Sequence, residues 1–207
     1  FYDEATRRFR TGPELRSFLT MQAPSEDANQ FYKCIVQSRI AYVSLPAIAL
    51  LAELSFREAA AETDGFEMRL SLFSMARTLA ENLGVEWRKV EPNKFVEQYA
   101  RPILDAVLAA KAKVAFETRK PMILRVGFSR TFESETHYRA LADMLVEYKR
   151  ELVGLDVLGI VTTGDKEPLP PALREIIQGL RKHLPDLTIH AGEFEGHHSV
   201  DRTLELE

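Results

Sequence analysis

The 207-residue sequence lacks several features on which familiar classes of protein depend. It contains a single cysteine, Cys34, so it can form neither a disulfide framework nor a zinc site built from several thiolates. No apolar run approaches the length of a membrane span, and the first residues lack the pattern of a signal peptide. From these absences we expect a cytoplasmic protein without a membrane partner.

Motifs for nucleotide and nucleic-acid binding are also missing. Neither the Gly-x-Gly-x-x-Gly fingerprint nor a phosphate loop ending in Gly-Lys-Ser/Thr occurs in the chain. The formal net charge is -4 and the isoelectric point is about 5.8, with no long basic run. We therefore expect no nucleic-acid partner, and a small molecule is the expected class of ligand.

The patterning of apolar residues predicts two regions. Residues 1–60 are predicted to form a helical N-terminal segment, in which Pro46 kinks or separates two helices. From residue 61 the order is strand, helix, strand, helix, strand, helix, strand. Pro102 is expected to bend or divide the first of these helices. Three of the predicted strands span residues 66–73, 121–128 and 152–159, and the stretch 187–193 is predicted to be the carboxyl end of the fourth.

Repeated β-α units imply a parallel sheet, either an open doubly wound sheet or an arc of a barrel. Since the nucleotide fingerprint is missing, we predict an α/β fold in which residues 61–207 form a partial (β/α)8 TIM barrel, continuous with the helical segment in a single domain. A complete barrel usually needs about 250 residues. The chain also starts without an initiator Met, and we expect it to be a piece of a longer protein.

A candidate site lies where the last predicted strand ends. The apolar stretch 187–189 is followed directly by His190, Ala191, Gly192 and Glu193. Ligands and metals bind at the carboxyl ends of strands in parallel α/β folds, which makes this histidine and this glutamate candidate functional residues. The alternative is a hydrogen-bonded histidine of the core or of a loop.

Other polar residues lie within or beside the predicted strands and helices. Glu67 and Arg69 share one face of the first strand, where they are either paired inside a barrel or form a half-exposed surface ion pair. Asp156 interrupts an apolar strand and needs a partner if it is buried. We expect His137 to be a solvated residue of a helix start, and the histidines at 197–198 to be loop residues.

Three of these patterns together resemble the adenosine deaminase family of metal-dependent, amidohydrolase-like hydrolases. The sequence His190-Ala191-Gly192-Glu193 is similar in type and spacing to the strand-five motif of that family. The stretch 154–159 resembles its Gly-hydrophobe-Asp-Leu-x-Gly strand four, and Glu67-x-Arg69 its strand two, although Gly65 stands where many members have Tyr. The resemblance covers roughly residues 50–207 and corresponds to strands two to five of the family barrel.

The resemblance implies a site and a reaction. In it His190 is a metal ligand, Glu193 is the proton donor to the purine ring, and Gly159 is a backbone contact to the purine. It implies one divalent metal ion, zinc, which acidifies the water that attacks the carbon bearing the amino group. The substrate is then an adenine nucleoside or nucleotide. Cytidine deaminases are disfavoured, because their metal ligands include two or more cysteines.

The chain also departs from the family pattern. The His-x-His pair of the family's first strand does not occur in residues 1–60. The catalytic histidine of its sixth strand and the aspartate ligand of its eighth strand have no counterpart here either. Catalytic zinc normally needs about three protein ligands, so we expect the chain by itself to be inactive. Two alternatives stay open: a non-catalytic deaminase-fold scaffold or binding component of a larger assembly, and an unrelated barrel. Adenosine, AMP and ATP are not distinguished, and neither are a homo-oligomer and a larger assembly.

Overall fold

The computed structural model of the chain describes residues 2–3, 8–9, 42–131, 133–158 and 169–190. Near the start, β1 (Tyr2–Asp3) and β2 (Arg8–Phe9) pair antiparallel. Cys34 and the first helix predicted before Pro46 lie outside the described residues.

Helix α1 (Leu45–Glu62) carries Pro46 in its first turn and is not kinked by it. Proline suits the first turn of a helix because its missing N–H would have no partner there. Ser44 precedes it as the N-cap, with its hydroxyl accepting from the Ala47 N–H at 3.4 Å. The helix therefore starts where the sequence predicted a kink or a separation.

The rest of the described chain alternates strands and helices. Strand β3 spans Phe66–Leu70 and is followed by helix α2 (Leu72–Asn82) and a short 3-10 turn (Trp87–Lys89). The next elements in order are α3 (Pro92–Phe95), a π-helical turn (Val96–Ala100), α4 (Arg101–Thr118), β4 (Met122–Ser129), α5 (Glu135–Glu147), β5 (Gly154–Leu158), α6 (Pro171–Leu180) and β6 (Asp186–Ile189).

The first strand of this series is shorter than the apolar alternation predicted. Leu72 and Phe73 were expected to continue it, but they form the first turn of α2 and are both buried, with 0% and 3% of their surface exposed. Consecutive residues of a strand point to opposite faces of the sheet. Two adjacent buried side chains are therefore better explained by a helix end that packs on the core than by a continued strand.

The helical region before β4 is divided near Pro102, as predicted. The π-helical turn ends at Ala100, and α4 carries the proline in its first turn. Proline removes one backbone donor and crowds the preceding turn, which is a recognised cause of local departures from α-helical geometry. Helix α4 packs along α1 on the outside of the sheet.

Strands β3, β4, β5 and β6 form one parallel sheet in sequence order. Its outer face is apolar and lies under the helices, and Leu124, Val126, Phe128, Leu155 and Val157 are all completely buried there. Its inner face is polar. Sequential parallel strands with helices on one side are the arrangement of a barrel arc.

No helix within the described part of the chain is both long and apolar enough to cross a membrane.

Candidate functional site

His190 lies directly after β6, at the carboxyl edge of the sheet, as the sequence predicted. Its backbone N–H donates to the carbonyl of Val157 on β5 at 3.0 Å. Its own carbonyl accepts a hydrogen bond from the guanidinium of Arg130, which follows β4 and is itself buried. Two neighbouring segments therefore fix the backbone of His190, while 28% of its side chain stays exposed.

The side chain of His190 lies beside the carboxylate of Asp156, which is completely buried. Nε2 of the imidazole is 3.2 Å from Oδ2 of Asp156. The other carboxylate oxygen, Oδ1, accepts a 2.7 Å hydrogen bond from the hydroxyl of Thr188 and lies 3.9 Å from Nη1 of Arg69. The buried carboxylate predicted to need partners thus has three of them.

These partners decide the charge of Asp156. Burial by itself raises the pKa of the carboxyl, because water no longer solvates the charged form. The hydrogen bonds from His190 and Thr188 and the charge of Arg69 outweigh that effect, so the pKa of Asp156 lies below its ordinary value. The carboxylate is therefore ionised at neutral pH and places a fixed negative charge beside the imidazole.

Glu67 and Arg69 pair with each other on the inner face of the sheet, where 28% and 45% of their side chains are exposed. Glu67 accepts from Nε of Arg69 at 3.1 Å and from Nε of Arg125 at 3.0 Å. Arg125 also lies 3.9 Å from the carboxylate of Asp186 on β6. Acidic and basic groups thus alternate across the inner face, and each charge has an opposite neighbour.

Gly154 makes room for this row of charges. A Cβ at this position would collide with the carbonyl oxygen of Asp186 and with the guanidinium of Arg125. A larger residue would push the arginine away from Glu67 or separate β5 from β6. The glycine at the start of the predicted strand-four pattern therefore has a packing role below the site.

Glu67 shows the same balance of effects as Asp156. Burial raises the pKa of its carboxyl, but the hydrogen bonds from Arg125 and Arg69 and their charges bring the pKa below its ordinary value. The carboxylates of Glu67 and Asp156 are therefore both ionised near neutral pH, although Asp156 is completely buried.

The expectation for His137 was wrong. The residue is 4% exposed, and its ring packs edge-on against Trp87 and Phe95 with centroids 5.2 Å from each. Its Nδ1 lies 2.8 Å from the hydroxyl of Ser134. A histidine in the first turn of a helix resembles a solvated one in sequence, because its aromatic partners Trp87 and Phe95 stand 50 and 42 positions earlier in the chain.

The described residues do not form a metal site by themselves. Among residues 42–131, 133–158 and 169–190, no three His, Cys, Asp or Glu side chains converge in a way that could hold a metal ion. His190 could supply one ligand to such a site, because its imidazole lies at a strand end beside the carboxylate of Asp156. A neighbouring carboxylate is the usual setting of a metal-binding histidine. Glu193, Gly159 and the histidines at 197–198 lie outside the described residues.

Sequence reasoning missed three residues of this region, Arg125, Arg130 and Thr188. Arg125 and Thr188 stand at the alternate positions of apolar strands, between residues that face the helices, and this alternation was a usable signal. The contact from Arg130 to the carbonyl of His190 joins segments 60 residues apart and had no local signal.

Comparison with known proteins bears on the fold. No protein-family model matches the chain, and neither does any curated protein. Among solved structures, the chain is similar to an amidohydrolase from Burkhoderia ambifaria whose crystal structure contains bound Zn. The identity is 14% and the TM-score 0.57, and the match covers 93% of this chain and 51% of that one.

The chain therefore spans about half the length of this structural neighbour. At so low an identity the likeness concerns the arrangement of strands and helices. It confirms that the parallel sheet and its helices form a partial (β/α)8 barrel of the kind found in an amidohydrolase.

Proposed function

We propose that the full-length protein is a zinc-dependent hydrolase that removes the amino group from an adenine nucleoside or nucleotide. The observation on which this depends most is the placement of His190, which lies partly exposed at the carboxyl end of a barrel strand and 3.2 Å from a buried carboxylate. The amidohydrolase fold of the neighbour with bound Zn and the resemblance of the strand motifs support the same function.

In this proposal His190 supplies one ligand to a zinc ion. Zinc when bound lowers the pKa of water and polarises the group under attack, and the remaining ligands come from outside the described residues. His190 suits its role because its backbone is anchored on both sides, so that its imidazole is presented to the interior of the barrel.

Glu193 and Gly159 act on the substrate in the proposal. Glu193 gives a proton to a ring nitrogen, which makes the adjacent carbon more electrophilic and helps ammonia to leave. The backbone at Gly159 contacts the purine, for which the absence of a side chain allows a close approach. Both residues follow strands of the same sheet edge, where the substrate of a barrel enzyme binds.

The metal role is tested by replacing His190→Ala in the full-length protein and measuring zinc by elemental analysis after purification. We expect wild type to contain about one zinc ion per chain and the variant to lose most of it. His183→Ala is the matched control, because His183 is an exposed histidine beyond α6. Equal zinc content in His190→Ala and wild type would contradict the ligand role.

The reaction is tested by measuring ammonia released from adenosine, AMP and ATP. We expect Glu193→Gln to lower the turnover number by about 100- to 10,000-fold, the usual contribution of a general acid, while zinc content is kept. Glu175→Gln is the control, since Glu175 lies on the outer surface of α6 and pairs with Arg139. If wild type with bound zinc deaminates none of these purines, the proposed substrate class is wrong.

A further inference from the structure

We propose that Asp156 is a positioning residue, which holds the imidazole of His190 in the orientation that binds the metal ion. This inference rests on the proposed metal role of His190. It adds a residue that would touch neither the metal nor the substrate and would act through its neighbour.

The carboxylate of Asp156 is itself held in place. It is completely buried, and Oδ1 is fixed by the 2.7 Å hydrogen bond from Thr188 and the nearby guanidinium of Arg69. Rotation of the carboxylate would break that bond inside the protein, where the lost partner is not replaced by water. Oδ2 is therefore held in one position, 3.2 Å from Nε2 of the His190 imidazole.

The sheet register brings the three residues together. Asp156 on β5 stands directly opposite Thr188 on β6, and His190 follows two residues after Thr188, directly beyond the end of β6. The backbone of His190 is anchored to Val157 and Arg130, so the main freedom left to the residue is rotation of its side chain. The contact with Asp156 restricts that rotation.

An imidazole that is held in place by a neighbouring carboxylate binds a metal ion more tightly than a freely rotating one, for two reasons. Less rotational freedom is lost when the metal binds, and the adjacent carboxylate makes the imidazole a more basic ligand. Loss of such an outer partner typically weakens metal binding by about 10- to 100-fold.

Exposure separates the roles of the two residues. Asp156 has no exposed surface, whereas 28% of the His190 side chain is exposed. A catalytic metal ion keeps one coordination position open to substrate, so it must lie where substrate has access. The partly exposed imidazole of His190 can bind a metal ion in such a place, whereas the buried carboxylate of Asp156 cannot.

The experiment measures the zinc affinity of the full-length protein by competition with a chromogenic chelator. Asp156→Asn keeps the shape of the side chain and removes its charge, and we expect it to weaken zinc binding by about 10- to 100-fold. Asp186→Asn is the matched control, because Asp186 lies on the neighbouring strand β6 and its carboxylate is 3.9 Å from Arg125. We expect its zinc affinity to equal that of wild type.

A second pair of variants acts on Asp156 indirectly and covers the event that Asp156→Asn does not fold. Thr188→Val removes the hydroxyl that fixes Oδ1 and should weaken zinc binding less than Asp156→Asn does. Thr188→Ser restores the hydroxyl and should restore the affinity. The visible absorption bands of the Co²⁺-loaded protein should shift in Asp156→Asn and Thr188→Val but not in Asp186→Asn and Thr188→Ser. These bands report the geometry of the metal ligands, and only the folded fraction of the protein contributes to them.

Two results would overturn the inference while the proposed function stands. One is wild-type zinc affinity and an unchanged Co²⁺ spectrum in Asp156→Asn and Thr188→Val. The other is a loss of zinc in Asp156→Asn as complete as in His190→Ala, which would make Asp156 a ligand. If wild type binds no zinc, or if His190→Ala binds it normally, then the proposed metal role fails and the inference fails with it.

Discussion

The two faces of the sheet are built on different physical principles. On the outer face, Leu124, Val126 and Phe128 are completely buried under the helices. On the inner face of the same part of the sheet, Arg69 and Arg125 alternate with carboxylates that they bind. Apolar burial is strong and non-directional, whereas charged hydrogen bonds fix distances and angles. The outer face therefore stabilises the fold, and the inner face positions chemical groups.

Two histidines illustrate the same difference. His137 is enclosed by aromatic rings and meets a serine hydroxyl, whereas His190 is partly exposed and meets a buried carboxylate. An apolar enclosure favours the neutral imidazole and leaves no access for a ligand. A carboxylate beside a partly exposed ring is instead typical of a metal-binding histidine.

The largest effect on stability is expected on the outer face. Phe128→Ala removes a ring that is completely buried and packs against Tyr138 with centroids 5.6 Å apart. We expect the free energy of unfolding to fall by about 3–5 kcal/mol, from lost burial and the cavity left behind. Urea unfolding of the full-length protein measures the change.

Phe116→Ala is the control for this prediction. Phe116 is 69% exposed, and the guanidinium carbon of Arg119 lies 4.9 Å from the centroid of its ring. Its replacement should cost about 1 kcal/mol or less. A similar loss of stability in both phenylalanine variants would show that burial on the outer face of the sheet is not what makes Phe128 important.

The second effect concerns the row of charges on the inner face. Glu67→Gln removes the charge that binds Arg69 and Arg125, and 28% of the Glu67 side chain is exposed. Since water reaches part of this group, we expect a loss of only about 1–2 kcal/mol in the free energy of unfolding. A double-mutant cycle with Arg125→Met would isolate the pairwise part of the loss.

The pH dependence of the same pair gives an independent check. The pKa of Glu67 is lower in the folded chain than its ordinary value, so its contribution is complete above about pH 4.3, the value expected in the unfolded chain. The contribution disappears as the pH falls through the folded pKa. Wild type should therefore lose its advantage over Glu67→Gln at acid pH, and a constant difference between them would contradict the ionic origin.

Much of the fold was predictable from local patterns in the sequence. Three later strands and the helices between them follow directly from apolar periodicity, and Pro46 and Pro102 mark real changes in the helices. The end of the first strand was placed too late, at Phe73 instead of Leu70. Alternation continued past the strand by coincidence, because the first turn of α2 is also apolar.

The candidate site was predictable in part. The position of His190 after a strand and the need of Asp156 for partners were visible in the sequence, since both interrupt an apolar run. The meeting of their side chains was not, because it depends on the pairing of two strands about 30 residues apart. The burial of His137 was missed for the same reason, as its aromatic neighbours are distant in sequence.

The smallest effect is expected at His137. Burial lowers the pKa of its imidazole, and the backbone carbonyls of Val90 and Trp87 and the charge of Glu91 oppose that effect only in part. The unfolded chain takes up a proton near pH 6.5, whereas the folded chain does so only at lower pH. The free energy of unfolding should therefore decrease as the pH falls from 7 through the folded pKa, by at most about 1.4 kcal/mol per pH unit for this one group.

His137→Phe tests this directly, because phenylalanine keeps an aromatic ring among Trp87 and Phe95 and cannot be protonated. Urea unfolding between pH 7 and pH 5 should show a shallower loss of stability in this variant than in wild type. If His137→Phe has the wild-type slope, then the enclosed histidine is protonated as readily in the folded chain as in the unfolded chain. The contrast between the enclosed His137 and the partly exposed, carboxylate-backed His190 would then lie in geometry alone and not in protonation.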